Sequence, residues 1–327
     1  MTQPRDTNLT PPPQKSIKYD TVLCVSPAHI QIATLAIRSV AQFFESNKIY
    51  IITAEQNFRH FSPLISDGLP ISLIDEDRLI PDVSLKTLQE YFLKETDSAD
   101  RAGWYFQQFL KMEACKLPGL SDYYLIWDSD TIALSSLKFI HTDGKVYVNL
   151  KHECHTPYFE TMERLLGVKK CTTGSFISEH LMVKKSSMSQ LIKEIQQTKE
   201  DHTNWCDRVL QAICPSDLAG SGFSEYETYG SFVHQHHPDH FIFINRKSTR
   251  NGTRKFGPIP SSKDLLQLMS YEYSYATFEI WKTTKFSKLR YNKAKSQLAN
   301  TLTTIGSLFS KRLKQRLNAA RAIAPAK

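Results

Sequence analysis

The stretch that most constrains this chain is Tyr123–Leu134, YYLIWDSDTIAL, where an apolar run leads into two aspartates, Asp128 and Asp130, one residue apart. Tyr, Ile and Trp suit a pleated surface and no Gly or Pro interrupts them, so the run reads as a buried strand. Carboxylates just beyond the C-terminal end of such a strand lie where open α/β sheets bind their ligands.

The segments around it fit the same architecture. Tyr19–Ser26 and Lys48–Ala54 read as strands, Ile71–Ile74 as a third. Between the first two, Ile30–Phe44 carries Ile32, Leu35, Ala36, Val40, Phe43 and Phe44 at helical spacing. Strands alternating with helices predict βαβ units and a mainly parallel central sheet flanked by helices, an α/β, Rossmann-like fold. Such units cross over right-handed, so the strand C-termini gather on one edge. The turn at Ser26–His29 therefore belongs near a nucleotide site, although neither a dinucleotide fingerprint nor a P-loop is present. Downstream, helices are expected over Ser84–Glu95, Ala102–Cys115, His155–Leu166, Ser186–Gln197, His202–Cys214 and Ser224–His234. Lys145–Leu150 and Phe241–Asn245 read as strands and Ser175–Val183 as extended. Residues 246–262 read as a basic loop with Arg246, Lys247, Arg250, Arg254 and Lys255.

Charge divides the chain. The net of +8 is concentrated from Trp281 onward, where 12 Lys or Arg stand without an acid, leaving 29 basic against 33 acidic residues in positions 1–280, a net of −4. A body without a basic stripe argues against nucleic-acid binding. Six cysteines with no C-x-x-C pairing indicate reduced thiols and a cytoplasmic protein. Residues 1–18 lack the apolar core of a signal peptide and read as a disordered leader, and no apolar run approaches the ~18 residues of a membrane span. The expected organisation is leader 1–18, folded domain 19–280 and tail 281–327.

Two aspartates one apart on a strand point the same way, so both carboxylates can meet one cation. Hard oxygen ligands suit Mg²⁺ or Mn²⁺, which also take phosphate oxygens; the competing role is a turn cap after the strand. On the preceding helix, Trp104, Gln107, Gln108 and Lys111 stand at i, i+3, i+4 and i+7. That face is either solvated or aims Gln107 and Lys111 at a ligand's phosphates.

The segment 123–134 resembles the D-x-D segment of GT-A glycosyltransferases. With GWYFQQFLK at 103–111, SFISEHLMV at 175–183 and FSEYETYGSFV at 223–233, the ordered set is similar to a largely uncharacterised bacterial GT-A-like family. The resemblance covers roughly residues 19–245. It implies a GT-A-like catalytic domain that binds a nucleotide-sugar through Ser26, Gln107, Lys111, Asp128, Arg254 and Lys255. It further implies Mn²⁺ or Mg²⁺ on Asp128 and Asp130, with a late histidine, His234 or His236 (His237 is adjacent), as third ligand; solvated histidines at a helix end are the alternative. Glu225 is implied as acceptor-binding carboxylate or general base, against a helix-dipole role at the first helical position. His180 is implied at the sugar or acceptor, and His152, Glu153 and His155 line either the acceptor side or a surface turn. Glu227, three residues after Ser224, is expected to close a capping box.

In the tail, Leu298, Leu302, Ile305, Phe309, Leu313 and Leu317 recur every three or four residues among Lys311, Arg312, Lys314, Arg316 and Arg321. This basic amphipathic helix either packs on the body or lies on an anionic membrane surface. Together these features suggest sugar transfer from a nucleotide-sugar to a glycan or lipid-linked envelope acceptor, peripheral to the inner membrane face. The rivals are a sugar-1-phosphate nucleotidylyltransferase, which would want a glycine-rich basic loop after the first strand, and a non-catalytic membrane adaptor on the same fold.

Overall fold

The computed structural model describes residues 17–197 and 203–283. The expected leader up to residue 16 and the amphipathic tail beyond 283 lie outside the described residues.

The chain runs β1 (Tyr19–Cys24), α1 (Ile30–Phe43), β2 (Ser46–Thr53), α2 (Ser62–Ser66), β3 (Ile71–Asp75), α3 (Leu85–Thr96) and α4 (Ala102–Glu113). It continues through β4 (Tyr123–Trp127), β5 (Thr131–Ala133), β6 (Val146–Asn149), α5 (Thr156–Leu166), β7 (His180–Lys184), α6 (Lys185–Gln196), α7 (Trp205–Ala212) and α8 (Pro215–Leu218). The last part comprises α9 (Glu225–His236), β8 (Phe241–Ile244), β9 (Ser248–Thr249), α10 (Gly252–Phe256), α11 (Ser262–Ser270) and β10 (Tyr275–Thr277).

The central sheet has the order β3-β2-β1-β4-β7. β1, β2, β3 and β4 are mutually parallel and β7 joins the edge antiparallel to β4. The expected α/β architecture with a mainly parallel sheet is therefore present. β1 is buried along its whole length and β4 from Tyr124 to Trp127, because both faces of the sheet are covered. β1 leads outward to β2 and β3 on one side, while β4 lies on its other side. The strand order thus reverses between β1 and β4, and the crevice beyond their C-terminal ends is a topological switch point.

Several local expectations need correction. Asp128 and Asp130 lie just beyond the end of β4, as expected, but in a turn before β5 rather than on the strand, so strand alternation does not orient them. The turn is closed by the Thr131 N–H donating to the Asp128 carbonyl at 3.0 Å. The Trp127 indole N–H also donates to the Thr131 carbonyl, at 2.7 Å, so the strand's last aromatic holds the turn shut. The helix expected over His202–Cys214 is shorter, ending at Ala212, and Pro215 beyond it opens α8, where its missing N–H costs nothing. The basic loop 246–262 contains β9 and α10, and α11 and β10 follow it.

These late elements have a task that short-range patterning does not reveal. β10 pairs antiparallel with β5 and parallel with β9. Phe256, Leu265, Leu268, Ala276 and Phe278 form a second small core with Ile32 and Leu35 of α1 and Ile132 and Leu134. The Phe278 N–H donates to the Asp130 carbonyl at 2.9 Å, and the Thr131 and Thr277 hydroxyls meet at 2.9 Å. The aspartate turn is therefore clamped from one side by the sheet and from the other by the C-terminal strand.

Candidate active site

A cleft of about 490 Å³ opens at the switch point. The end of β1 contributes Ser26 and His29, the β4–β5 turn Asp128 and Asp130, and α4 its face of Trp104, Gln107, Gln108 and Lys111. Glu225 and Tyr226 enter from the start of α9, and Arg250 and Glu279 from the late segment. The polar stripe on α4 thus turns toward the cleft rather than toward solvent.

Lys111 is the electrostatic centre. Its side chain is 6% exposed, and its ammonium donates to Asp128 Oδ1 at 2.7 Å and Glu225 Oε1 at 2.8 Å. It also lies 4.6 Å from the centre of the Tyr226 ring, whose hydroxyl donates to the same Asp128 Oδ1 at 2.8 Å. Burial works to lower the lysine, yet Asp128 and Glu225 outweigh it and hold the ammonium well above its ordinary range. The cation is thus a fixed internal charge that orders both carboxylates. Gln108 adds a second tie, its side-chain carbonyl accepting from the Glu225 backbone N–H at 3.1 Å.

The two aspartates differ. Asp128 is 24% exposed and already hydrogen-bonded on Oδ1. Asp130 is buried, and burial together with the charges of Asp128 and Glu279 pushes its carboxyl up to about 7. Among the described residues no cationic side chain pairs with it. A buried acid beside a like charge is relieved by a cation, so the pair fits a hard divalent ion. Among the described residues no group of three or more His, Cys, Asp or Glu is arranged to hold a metal.

The histidines expected here lie elsewhere. His180 is the first residue of β7 and pairs across to Trp127. Directly opposed residues share a sheet face, so His180 goes into the core with Trp127. It is 3% exposed, packs on Trp127, Phe139 and Tyr275, and contacts the Ser178 carbonyl through Nδ1 at 2.8 Å. Burial drives its imidazole down to about 3. His234 and His236 lie in the last turn of α9, whose first residue is Glu225, and ~13–17 Å of helix separates them from the cleft. His234 stacks on Phe241, and His236 Nδ1 contacts the Phe232 carbonyl at 2.8 Å. His237 follows that turn. The structure does not bring any of them to the aspartates.

Arg254 and Lys255 are exposed on α10 and do not line the cleft. The late basic segment reaches it through Arg250, whose guanidinium meets Glu153 at 2.9 Å, Glu179 at 3.2 Å and Glu279 at 2.7 Å. Glu153 therefore belongs to the cleft wall. His155 instead contacts the Ser221 carbonyl through Nε2 at 2.7 Å, and His152 is exposed. Ser26 is at the cleft with its hydroxyl 2.7 Å from His29 Nδ1. At α9, Ser224 accepts from the Glu227 N–H at 3.3 Å, but the reciprocal half of the capping box is not made. The Glu227 carboxylate instead accepts from the Ser175 hydroxyl at 2.5 Å, holding the segment before β7 against α9.

Tyr226, Glu179, Arg250 and Glu279 are the residues that sequence reasoning missed. Tyr226 stands beside Glu225 in a block already singled out, and Glu179 beside His180 in another. Arg250 and Glu279 carry no local signal, since their partners are far away in the chain.

No curated protein matches the sequence. Three solved structures illustrate its similarities. The apo-form glycosyltransferase GlyE of Streptococcus pneumoniae TIGR4 aligns at 12% identity and TM-score 0.44 over 93% of this chain, which spans 64% of the length of that protein. Mouse xyloside xylosyltransferase 1 aligns at 10% and 0.43 over 82% of this chain and 100% of its own. The galactosyltransferase LgtC, in complex with donor and acceptor sugar analogs, aligns at 12% and 0.43 over 79% of this chain and 86% of its own. A family model matches residues 28–287, a span holding every cleft residue described above except Ser26. By that match the chain belongs to the family of unknown function DUF6492.

Proposed function

We propose that this protein is a glycosyltransferase that moves a sugar from a nucleotide-sugar to a glycan or lipid-linked acceptor, using Mn²⁺ or Mg²⁺ held by Asp128 and Asp130. The observation that carries this reading is the cleft at the switch point, where a buried acid, Asp130, with no cationic side chain paired to it among the described residues, adjoins an aspartate oriented by Lys111 and Tyr226. Asp128 and Asp130 would hold the ion, which would supply positive charge to offset that on a nucleoside diphosphate leaving group. Lys111 and Tyr226 both occupy Asp128 Oδ1, which fixes the carboxylate plane and leaves Oδ2 for the ion. Gln107 and the Ser26–His29 turn lie on the same cleft wall and serve the nucleotide side.

Glu225 is the candidate for the acceptor. Its Oε1 is taken by Lys111, so a proton from an attacking hydroxyl would have to go to Oε2. That arrangement favours a carboxylate that binds the acceptor over a general base. His180 has no part in the chemistry proposed, because its ring is sealed in the core. Among the described residues no helix is long and apolar enough to cross a membrane. Attachment to an anionic inner-membrane surface is assigned to the basic tail on its sequence pattern.

A panel of nucleotide-sugars screened for Mn²⁺-dependent hydrolysis tests the reading without a known acceptor. In calorimetry, Asp130→Asn should abolish metal-dependent binding of the matching nucleoside diphosphate. Undiminished binding by that variant would remove the aspartate turn from the site.

A further inference from the structure

Among the described residues, four that are not glycine adopt a positive φ: Asp82, Asp97, Glu179 and Glu272. Asp82, Asp97 and Glu272 are exposed turn residues. Glu179 is the exception, 2% exposed at φ 64°, immediately before β7. The left-handed conformation is unfavourable for a residue with a Cβ, and glutamate lacks the short side chain that lets Asn or Asp tolerate it. Glycine would meet the backbone requirement without strain.

The side chain does not repay that strain within the fold. Neither carboxylate oxygen receives a hydrogen bond from the protein. The nearest cation is Arg250, whose Nε lies 3.2 Å from Oε1 while its other nitrogens serve Glu153 and Glu279. A buried acceptor without donors is a standing cost, and strain of this kind persists where function requires it. Glu179 lines the cleft with both carboxylate oxygens buried, and its backbone carbonyl accepts from the Asp128 N–H at 3.0 Å. Glu179 is therefore fixed one hydrogen bond from the turn assigned to the diphosphate.

The missing partners define the ligand. A carboxylate that shares Arg250 with Glu153 and Glu279 does not favour phosphate, and two oxygens that accept no hydrogen bond call for O–H donors. In a nucleotide-sugar the group joined directly to the distal phosphate is a sugar ring with adjacent hydroxyls. We propose that Glu179 is a specificity-determining residue that accepts hydrogen bonds from two hydroxyls of the transferred sugar, with Arg250 holding its carboxylate in place. This rests on the glycosyl-transfer reading above.

The test uses the full chain with Mn²⁺ and calorimetric titration of uridine and guanosine diphosphates and their hexose conjugates. Glu179→Gln keeps the shape of the side chain. Glu179→Gly relieves the backbone, so its melting temperature should not fall. Both variants should bind the free diphosphate within about twofold of wild type and its conjugate roughly tenfold or more weakly, the scale of hydrogen bonds to a charged group. Wild-type affinity for the conjugate in Glu179→Gly, with diphosphate binding intact, overturns the assignment of Glu179 alone. Equal weakening of both ligands assigns Glu179 to the diphosphate side and also overturns it. Wild-type protein that binds no diphosphate removes the glycosyl-transfer reading and this proposal together.

Discussion

At His180 the imidazole is packed among Trp127, Phe139 and Tyr275 and kept neutral, its ionisation lowered to about 3 by burial. An unfolded histidine takes up its proton near ~6.5. Between that value and about 3, the unfolded chain binds one more proton at this residue than the folded chain does. Stability therefore falls as the pH drops through that window, by up to about 1.4 kcal/mol per pH unit. His180→Phe should flatten this acid limb in urea titrations at pH 4–6 while leaving metal-dependent nucleotide binding unchanged. A variant that keeps the limb but loses nucleotide binding would return His180 to the site. The residue scale is where the sequence is hardest to read. A one-residue register decides that His180 enters the core while Glu179 lines the cleft, and the left-handed Glu179 backbone that precedes the strand is announced by no pattern of residue types. Lys111 was legible, because i, i+3, i+4, i+7 spacing marks a face before anything is known of what the face meets. Arg250 was not distinguishable from Arg254 and Lys255, since only its long-range carboxylates set it apart.

At the scale of elements, α9 separates two acidic residues that look alike. Glu225 at its first position meets Lys111, while Glu227 reaches back to Ser175 and ties the helix to the segment before β7. Gly230, one turn on, lets that segment approach closely, since a Cβ there would come within 2.2 Å of the Phe176 ring. Glu225→Gln should therefore slow donor hydrolysis, in which water takes the acceptor's place, with little change in melting temperature, because Asp128 still pairs Lys111. Glu227→Ala should lower the unfolding free energy by about 1–3 kcal/mol, leaving the Ser175 hydroxyl without its acceptor, and retain turnover per folded molecule. Paired melting and hydrolysis assays check both, and the opposite pattern would exchange their roles. Elements of six or more residues with clear periodicity, such as β1, α1 and α4, could be read from the sequence. β9, α10 and β10 have two to five residues each and exist through partners elsewhere, so local pattern is silent on them.

For the whole molecule, charge is the organising quantity: a net-acidic body precedes a tail with 12 basic residues and no acids. Deleting residues 296–327 should release the protein from vesicles containing anionic lipid at low salt, read by co-sedimentation, while nucleotide binding persists. Unchanged sedimentation of the truncated chain would assign any membrane affinity to the body. The late strand carries a different consequence, one of timing. Thr131 and Thr277, whose hydroxyls meet behind the aspartate turn, are 146 residues apart in the chain. At ~5–20 residues per second, a ribosome needs roughly 7–30 s to deliver the second after the first. The acidic turn thus emerges first and waits, unclamped, until the 146 residues that lead to Thr277 have been made. A nascent or prematurely terminated chain would carry the aspartates without the geometry to use them, so that competence arrives only once β10 has been made.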